Sequence, residues 1–404
     1  MGFTKQAFSG FGWQTVLKIL SNVVVVGKLA VLSRLLGPID VGLFSLANIA
    51  LGLTESITQT GVNITLLQTK EPLAKFINSA WVIAITRGFL IGGIMLLLGV
   101  GMQQFFDQPQ LLLLVSLAAL VPVIKGFINP AIVSLHKDLS FFADALYRFS
   151  ILLIETTAIV VLVWWSPSVV SWVWGLVLGA VGEVLISFVF FKLKPRFKYS
   201  ATEGGFILKN SRGLLVSSAL GYLNENADNL LIGKLAGTYN LGLYQNSYGL
   251  THEVNYEVTK SVHHSTLPVY TRILPNLARL QRAFFKTLST TTIIILLTSL
   301  PLLFQSELVV RLIFGEKWLE IVPLFPWLIG AGVLHSIALL MYTFLIAQNK
   351  MKQVNLHQAV AFIALVGGIV WLTPLYGLTG AVMAVCLSRL VVLPLLALLV
   401  KRSL

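Results

Sequence analysis

Charged and amide side chains recur at helical spacing inside segments that are otherwise apolar. In residues 8–35, Gln14, Lys18, Ser21, Asn22 and Lys28 fall within a sector of about 120° at 100° per residue. In residues 41–66, Ser45, Asn48, Glu55, Gln59 and Asn63 share a sector of about 80°. Ser217, Asn224, Glu225 and Asp228 cluster in the same way, and Glu253, Glu257, Lys260 and His264 follow i, i+4, i+7, i+11 spacing. Arg87 and Lys125 add cations within apolar runs. A central Lys or Arg in a spanning helix costs about 2.5–3.5 kcal/mol, so each requires a partner or a task. In the first half, Lys18, Lys28, Arg34, Arg87 and Lys125 face Glu55, Glu155 and Glu183, a five-to-three excess of cations. Such an excess suits an anionic headgroup such as a phosphate or pyrophosphate. The second half is more balanced, with Glu225, Asp228, Glu253 and Glu257 near Lys234, Lys260, His263 and His264. The candidate binding residues are therefore Lys18, Lys28, Arg34, Arg87, Lys125, Asn22, Asn48, Glu55, Asn224, Asp228, Glu253 and Lys260.

The elements that position these groups are membrane helices. Of 404 residues, 56% are hydrophobic and 11% charged, with a mean hydropathy of +0.85. Soluble domains carry about 25% charged residues, so a soluble enzyme, a nucleic-acid-binding domain and a disordered scaffold are all disfavoured. Read with a 20-residue window, the chain offers twelve spans. They lie near 8–35, 41–66, 77–101, 110–134, 141–165, 169–191, 212–235, 241–266, 287–305, 322–347, 355–374 and 378–400. Gln14, Lys18, Asn22 and Lys28 interrupt the first, which reads as a retained helix rather than a cleaved signal.

The net charge of +13 reports topology rather than a nucleic-acid partner. Alternate loops hold Lys70 and Lys75, Lys137, the run Lys192, Lys194, Arg196 and Lys198, then Arg279, Arg282 and Lys286, Lys350 and Lys352, and Lys401 and Arg402. Of the intervening loops, one holds Arg311 and Lys317, offset by Glu307, Glu316 and Glu320, while QQFFDQPQ, WWSPS and TPLYGLTG have no basic residue. That asymmetry places both termini in the cytoplasm. The single cysteine, Cys386, precludes an intrachain disulfide. His263 and His264 read as interfacial residues rather than a proton relay. No catalytic constellation, metal cluster or cofactor motif is evident, and the longest outer connection, RLIFGEKWLE, is short for an enzyme acting outside the membrane.

An internal repeat divides the chain. RLLGPIDVGLF (34–44) and KLAGTYNLGLY (234–244) align at an offset of 200, and a tight turn needing glycine geometry accounts for the recurring glycines. Each half then has six spans and one orientation, as in parallel-repeat transporters. The expected organisation is a six-helix lobe over 1–191, a basic cytoplasmic linker over 192–211, and a second six-helix lobe over 212–404.

The segments LSRLLGPIDVGLFSLA (32–47), DNLLIGKLAGTYNLGLYQNSYGL (228–250), LPVYTRI (267–273), RLIFGEKW (311–318) and YGLTGA (376–381) are spread over nearly the whole chain. With them the chain resembles the polysaccharide-unit flippases of the multidrug/oligosaccharidyl-lipid/polysaccharide exporter superfamily. The resemblance implies an all-α polytopic protein of twelve transmembrane helices in two lobes about a V-shaped central cavity lined by helices one, two, seven and eight. It implies a polyprenyl-pyrophosphate-linked sugar moved across the bacterial inner membrane by alternating access, with H+ or Na+ as candidate coupling ions and polysaccharide polymerase or export machinery as candidate partners. The chain departs from this pattern at THEVNYEVTKSVHH, which is unusually charged for its position. The rival readings are a drug/cation antiporter of the same superfamily and a membrane enzyme acting on lipid-linked sugars.

Overall fold

The computed structural model describes residues 3–69, 71–138, 140–211 and 221–403, with side chains throughout these except 3–15, 57–64, 68, 208–211, 253 and 254. The described residues are helical or irregular and contain no strand. They form two compact units, Met1–Asn226 and Ala227–Leu404.

The first unit begins with α1 (Phe3–Leu35) and α2 (Pro38–Gln68). Pro38 opens α2 at the position where its missing N–H costs nothing, and Asp40 Oδ2 accepts the Gly37 N–H at 3.1 Å. Helix α3 (Leu73–Phe106) ends at Asp107, whose φ of 55° closes it in the left-handed conformation that Asp tolerates. Next come α4 (Gln110–Ala118), α5 (Leu120–Lys125) and, after a 3₁₀ turn over Pro130–Ile132, α6 (Val133–Lys137). The apolar span over these elements is bent by 69°. The backbone freed at the bend is satisfied locally: Asn129 Oδ1 accepts the Ala131 N–H, and the Asn129 N–H donates to Ser187 Oγ. The hairpin of α7 (Phe141–Trp165) and α8 (Val169–Phe190) completes the bundle. Residues 191–200 are irregular, and α9 (Ala201–Ser211) packs on α2 and α3.

Glycines set where these helices cross. A Cβ at Gly175 would stand 2.6 Å from Ile159 Cα, and one at Gly179 would stand 2.8 Å from Glu155 Cγ, so α8 lies directly on the backbone of α7. A Cβ at Gly88 would stand 2.5 Å from the Pro122 carbonyl, and one at Gly126 would stand 2.9 Å from the Ala84 carbonyl. Each glycine follows a cation, Arg87 or Lys125, so the α3–α5 crossing brings those two residues to one level.

The second unit holds α10 (Ala227–Leu235), α11 (Gly237–Ile273), α12 (Leu277–Phe304), α13 (Ser306–Ile313), a 3₁₀ segment over Glu316–Leu324, α14 (Phe325–Ala347) and α15 (Met351–Lys401). Tyr270, Phe284 and Phe344 anchor a buried cluster, with the last two rings 4.6 Å apart. Helix α15 is broken at Gly377, whose φ of 60° and ψ of −140° no helix admits. Residues eight apart in a straight helix are about 12 Å apart, yet a Cβ at Gly380 would clash with the Leu372 carbonyl. The chain therefore folds back on itself there.

Among the described residues, seven helices are long and apolar enough to cross a membrane, or eight if the bent pair is one span. Twelve separate spans are not resolved on this measure. Helices α2 and α11 are long, but their polar stripes lower their hydropathy. The expected span over 212–235 falls partly outside the described residues. The last two expected spans lie on either side of the Gly377 break in α15. The expectation of special glycine geometry in the repeated turn holds at Gly237, with φ of +86°, and fails at Gly37, with φ of −95°. There the Asp40 carboxylate closes the turn instead.

Candidate functional site

The first unit gathers one charged residue from each of six helices. Lys28 of α1 donates to Glu155 Oε1 of α7 at 3.5 Å. Lys125, the last residue of α5, reaches Glu55 of α2 at 3.4 Å and Glu183 of α8 at 3.8 Å. Arg87 of α3 lies within electrostatic reach of Glu55, and Lys125 within that of Glu155. The side chains in these ion pairs retain between 17% and 32% of their accessible surface, which leaves the network partly open to a ligand. Lys125 sits at a helix C-terminus, where exposed carbonyls favour a cation. Near Glu55, Gly52 lies directly against Tyr222, which a larger side chain would displace.

The network is balanced, with three cations and three carboxylates. The other two cations of the five-to-three count, Lys18 and Arg34, are exposed on α1 about 15 Å and about 9 Å along its axis from Lys28. Asn22 and Asn48 are also exposed. Gln14, Gln59, Asn63 and Ser217 lie outside the described side chains. Asn224 is exposed near the end of the first unit, three residues before Ala227 opens the second.

In the second unit Asp228 is buried. Tyr244 donates its hydroxyl to Asp228 Oδ2 at 2.6 Å, and the Asn229 N–H donates to Oδ1 at 2.8 Å. At the repeat offset of 200, Asp228 occupies the place of Lys28, so equivalent positions carry opposite charges. Asn255 likewise replaces Glu55; its amide donates to Ser299 Oγ at 2.9 Å and ties α11 to α12. Along α11 the rings of Tyr244, Tyr248, His252 and Tyr256 follow one another at intervals of four, with centroids 5.4, 4.6 and 5.5 Å apart; the first pair is tilted and the other two are stacked. Lys260 is exposed, its ammonium 5.5 Å from the Tyr256 ring. The Glu253 side chain lies outside the described residues.

Sequence reasoning missed Arg389. Its guanidinium donates to the Ala331 carbonyl at 2.8 Å and the Tyr248 hydroxyl at 3.2 Å, within electrostatic reach of Asp228, His252 and His335. The signal was present: an arginine inside the apolar run AVCLSRLVVL is a functional-site hypothesis by composition alone. His263, expected at the interface, makes a 2.7 Å hydrogen bond with Thr343. Among the described residues, no group of three His, Cys, Asp or Glu is arranged to hold a metal ion.

This arrangement provides a partly accessible, charge-compensated site in the first unit and a polar, aromatic cluster in the second. Comparison with known proteins gives a family and a fold. Residues 31–323 match the family described as "Polysaccharide biosynthesis protein". The chain is 23% identical over 83% of its length to the lipopolysaccharide biosynthesis protein WzxC of Escherichia coli strain K12, covering 69% of that protein. Its fold resembles the lipid II flippase MurJ in an inward closed conformation, with a TM-score of 0.69 and 14% identity over 96% of this chain and 87% of that one. It also resembles an inward-facing multidrug resistance MATE family transporter of the MOP superfamily, with a TM-score of 0.70 and 14% identity over 95% of this chain and 94% of that one.

Proposed function

This chain belongs to the polysaccharide biosynthesis protein family, and we propose that it is a flippase carrying a polyprenyl-pyrophosphate-linked oligosaccharide from the inner to the outer leaflet of the bacterial inner membrane. The observation that supports this most directly is the convergence of Lys28, Arg87 and Lys125 with Glu55, Glu155 and Glu183 from six helices of the first unit. An incoming pyrophosphate exchanges these cations' carboxylate partners for phosphate oxygens, which make charge-assisted hydrogen bonds of comparable strength. Lys18 and Arg34 add cationic side chains along α1. The exposed amides of Asn22 and Asn48 contact sugar hydroxyls, while the lipid tail stays in the bilayer.

Both termini lie in the cytoplasm in this reading, and access to the site alternates between the two sides. Moving one charge across 100 mV is worth about 2.3 kcal/mol. A headgroup of about two negative charges leaving a negative interior therefore gains several kcal/mol. Exchange of H+ or Na+ adds to that drive, and polysaccharide polymerase or export machinery takes up the product.

The test is leaflet accessibility of a labelled lipid-linked sugar in proteoliposomes. Replacing Lys28 and Glu155 together with Gln removes a neutral pair and leaves the fold intact. Adding Arg87→Gln to that variant is expected to slow flipping tenfold to a hundredfold, since charged hydrogen bonds are worth about 1.5–3 kcal/mol each. Undiminished flipping refutes the reading. Drug resistance conferred without flipping supports an antiporter instead.

A further inference from the structure

Residues 192–199, KLKPRFKY, follow directly on α8 and present four cations, Lys192, Lys194, Arg196 and Lys198, all exposed. Other basic residues of the first unit have partners: Lys75 pairs with Glu71, Arg148 with Asp144, and Lys137 donates to the Glu71 carbonyl. Among the described residues, none of the four has a carboxylate within ion-pair distance. Interleaved with them are Leu193, Phe197 and Tyr199, exposed by 40%, 71% and 54%.

The backbone that carries these side chains is fixed. Asn129 Nδ2 donates to the Leu193 carbonyl at 2.8 Å, the Arg196 N–H donates to Asn78 Oδ1 at 2.7 Å, and the Ser200 N–H donates to Ser79 Oγ at 3.1 Å. One face of Phe197 rests on Trp81 with centroids 4.4 Å apart. Free solvated cations need no such anchoring. A held row of cations alternating with apolar and aromatic side chains matches the headgroup layer, where Tyr rings settle at the interface and lysines meet phosphate.

We propose that this segment docks the phosphates of anionic phospholipids in the leaflet that α8 enters. An acidic protein would satisfy the charges but leave Leu193, Phe197 and Tyr199 without a role beside a membrane-spanning helix. The bilayer satisfies both. Through Asn129 the bound lipid also steadies the bend that carries Lys125.

The test uses the full chain in nanodiscs of phosphatidylcholine with and without phosphatidylglycerol, reading the enrichment of phosphatidylglycerol around the protein. Each cation near the surface is worth about fivefold in affinity, so Lys194→Gln with Lys198→Gln should weaken enrichment about 25-fold. Replacing all four cations with Gln should abolish it. In the unmodified protein, enrichment should fall steeply with added salt, while Phe197→Ser should weaken it at every salt concentration. Enrichment unchanged in the four-cation variant, or insensitive to salt, overturns the proposal. So does binding of polyglutamate in purely zwitterionic discs as tight as the binding of phosphatidylglycerol in mixed ones, which would assign the patch to an acidic protein. Inorganic phosphate competing at equal concentration would reduce the site to simple anion binding and likewise overturn it.

Discussion

Lys125 is the single ammonium between two carboxylates, and removing it should invert the effect of a second substitution. At 3.4 Å from Glu55 and 3.8 Å from Glu183, and at an effective dielectric of about 20, the two attractions amount to about 5 and about 4 kcal/mol. Desolvation and residual water contact cancel most of this, leaving about 1–2 kcal/mol of net coupling for each pair. Lys125→Gln should therefore cost about 2–3 kcal/mol, because it removes both attractions and leaves Glu55, Glu155 and Glu183 to repel one another. For a unit of this size that lowers the thermal midpoint by about 5–10 °C. Glu183→Gln alone should cost about 1 kcal/mol, since it removes one partner of Lys125. In the Lys125→Gln background the same change should stabilise by a similar amount, because a repelling charge disappears. The assay is a double-mutant cycle on midpoints in detergent, followed by tryptophan fluorescence, with the predicted sign change as its readout. If Glu183→Gln costs the same in both backgrounds, the charges do not act as one network.

Gly179→Val should destabilise the first unit by about 1–3 kcal/mol, because the new side chain meets Glu155 at its Cα as well as its Cγ. The thermal midpoint checks it, and a distance probe between α1 and α7 should report Glu155 moving away from Lys28. Arg389→Met should cost about 3 kcal/mol in the second unit by taking away a cation within electrostatic reach of buried Asp228, and Asp228→Asn in the same chain should restore most of the loss. Limited proteolysis of the second unit reads both, and failure of the rescue separates a packing role for Arg389 from an electrostatic one.

The residue types that populate the first-unit network were legible in the sequence. Lys28, Glu55, Arg87, Lys125, Glu155 and Glu183 stand out because a charge in an apolar run carries a cost that composition exposes. Helical periodicity likewise places Glu55 and Lys28 on the polar faces of their helices. The fold-back in α15 was legible too, as a Pro-rich and Gly-rich interruption at TPLYGLTG between two apolar runs. The partners were not legible. Periodicity fixes the direction of a side chain about its own helix axis, but not the level at which another helix crosses.

Those levels come from long-range packing. Gly88 and Gly126 bring α3 and α5 together beside Arg87 and Lys125, and Gly175 and Gly179 bring α8 onto α7 beside Glu155. The result is a balanced three-and-three network where counting along the chain gave five cations to three anions. Arg389 escaped notice for a related reason: its partners, the Ala331 carbonyl and Tyr248, lie 58 and 141 residues away, and a backbone carbonyl leaves no mark in a sequence. The sequence by itself determined which groups carry charge into the membrane and which helices bear them. Only the tertiary structure decided which charges meet, because pairing depends on distances of a few ångströms between helices that the chain order does not encode.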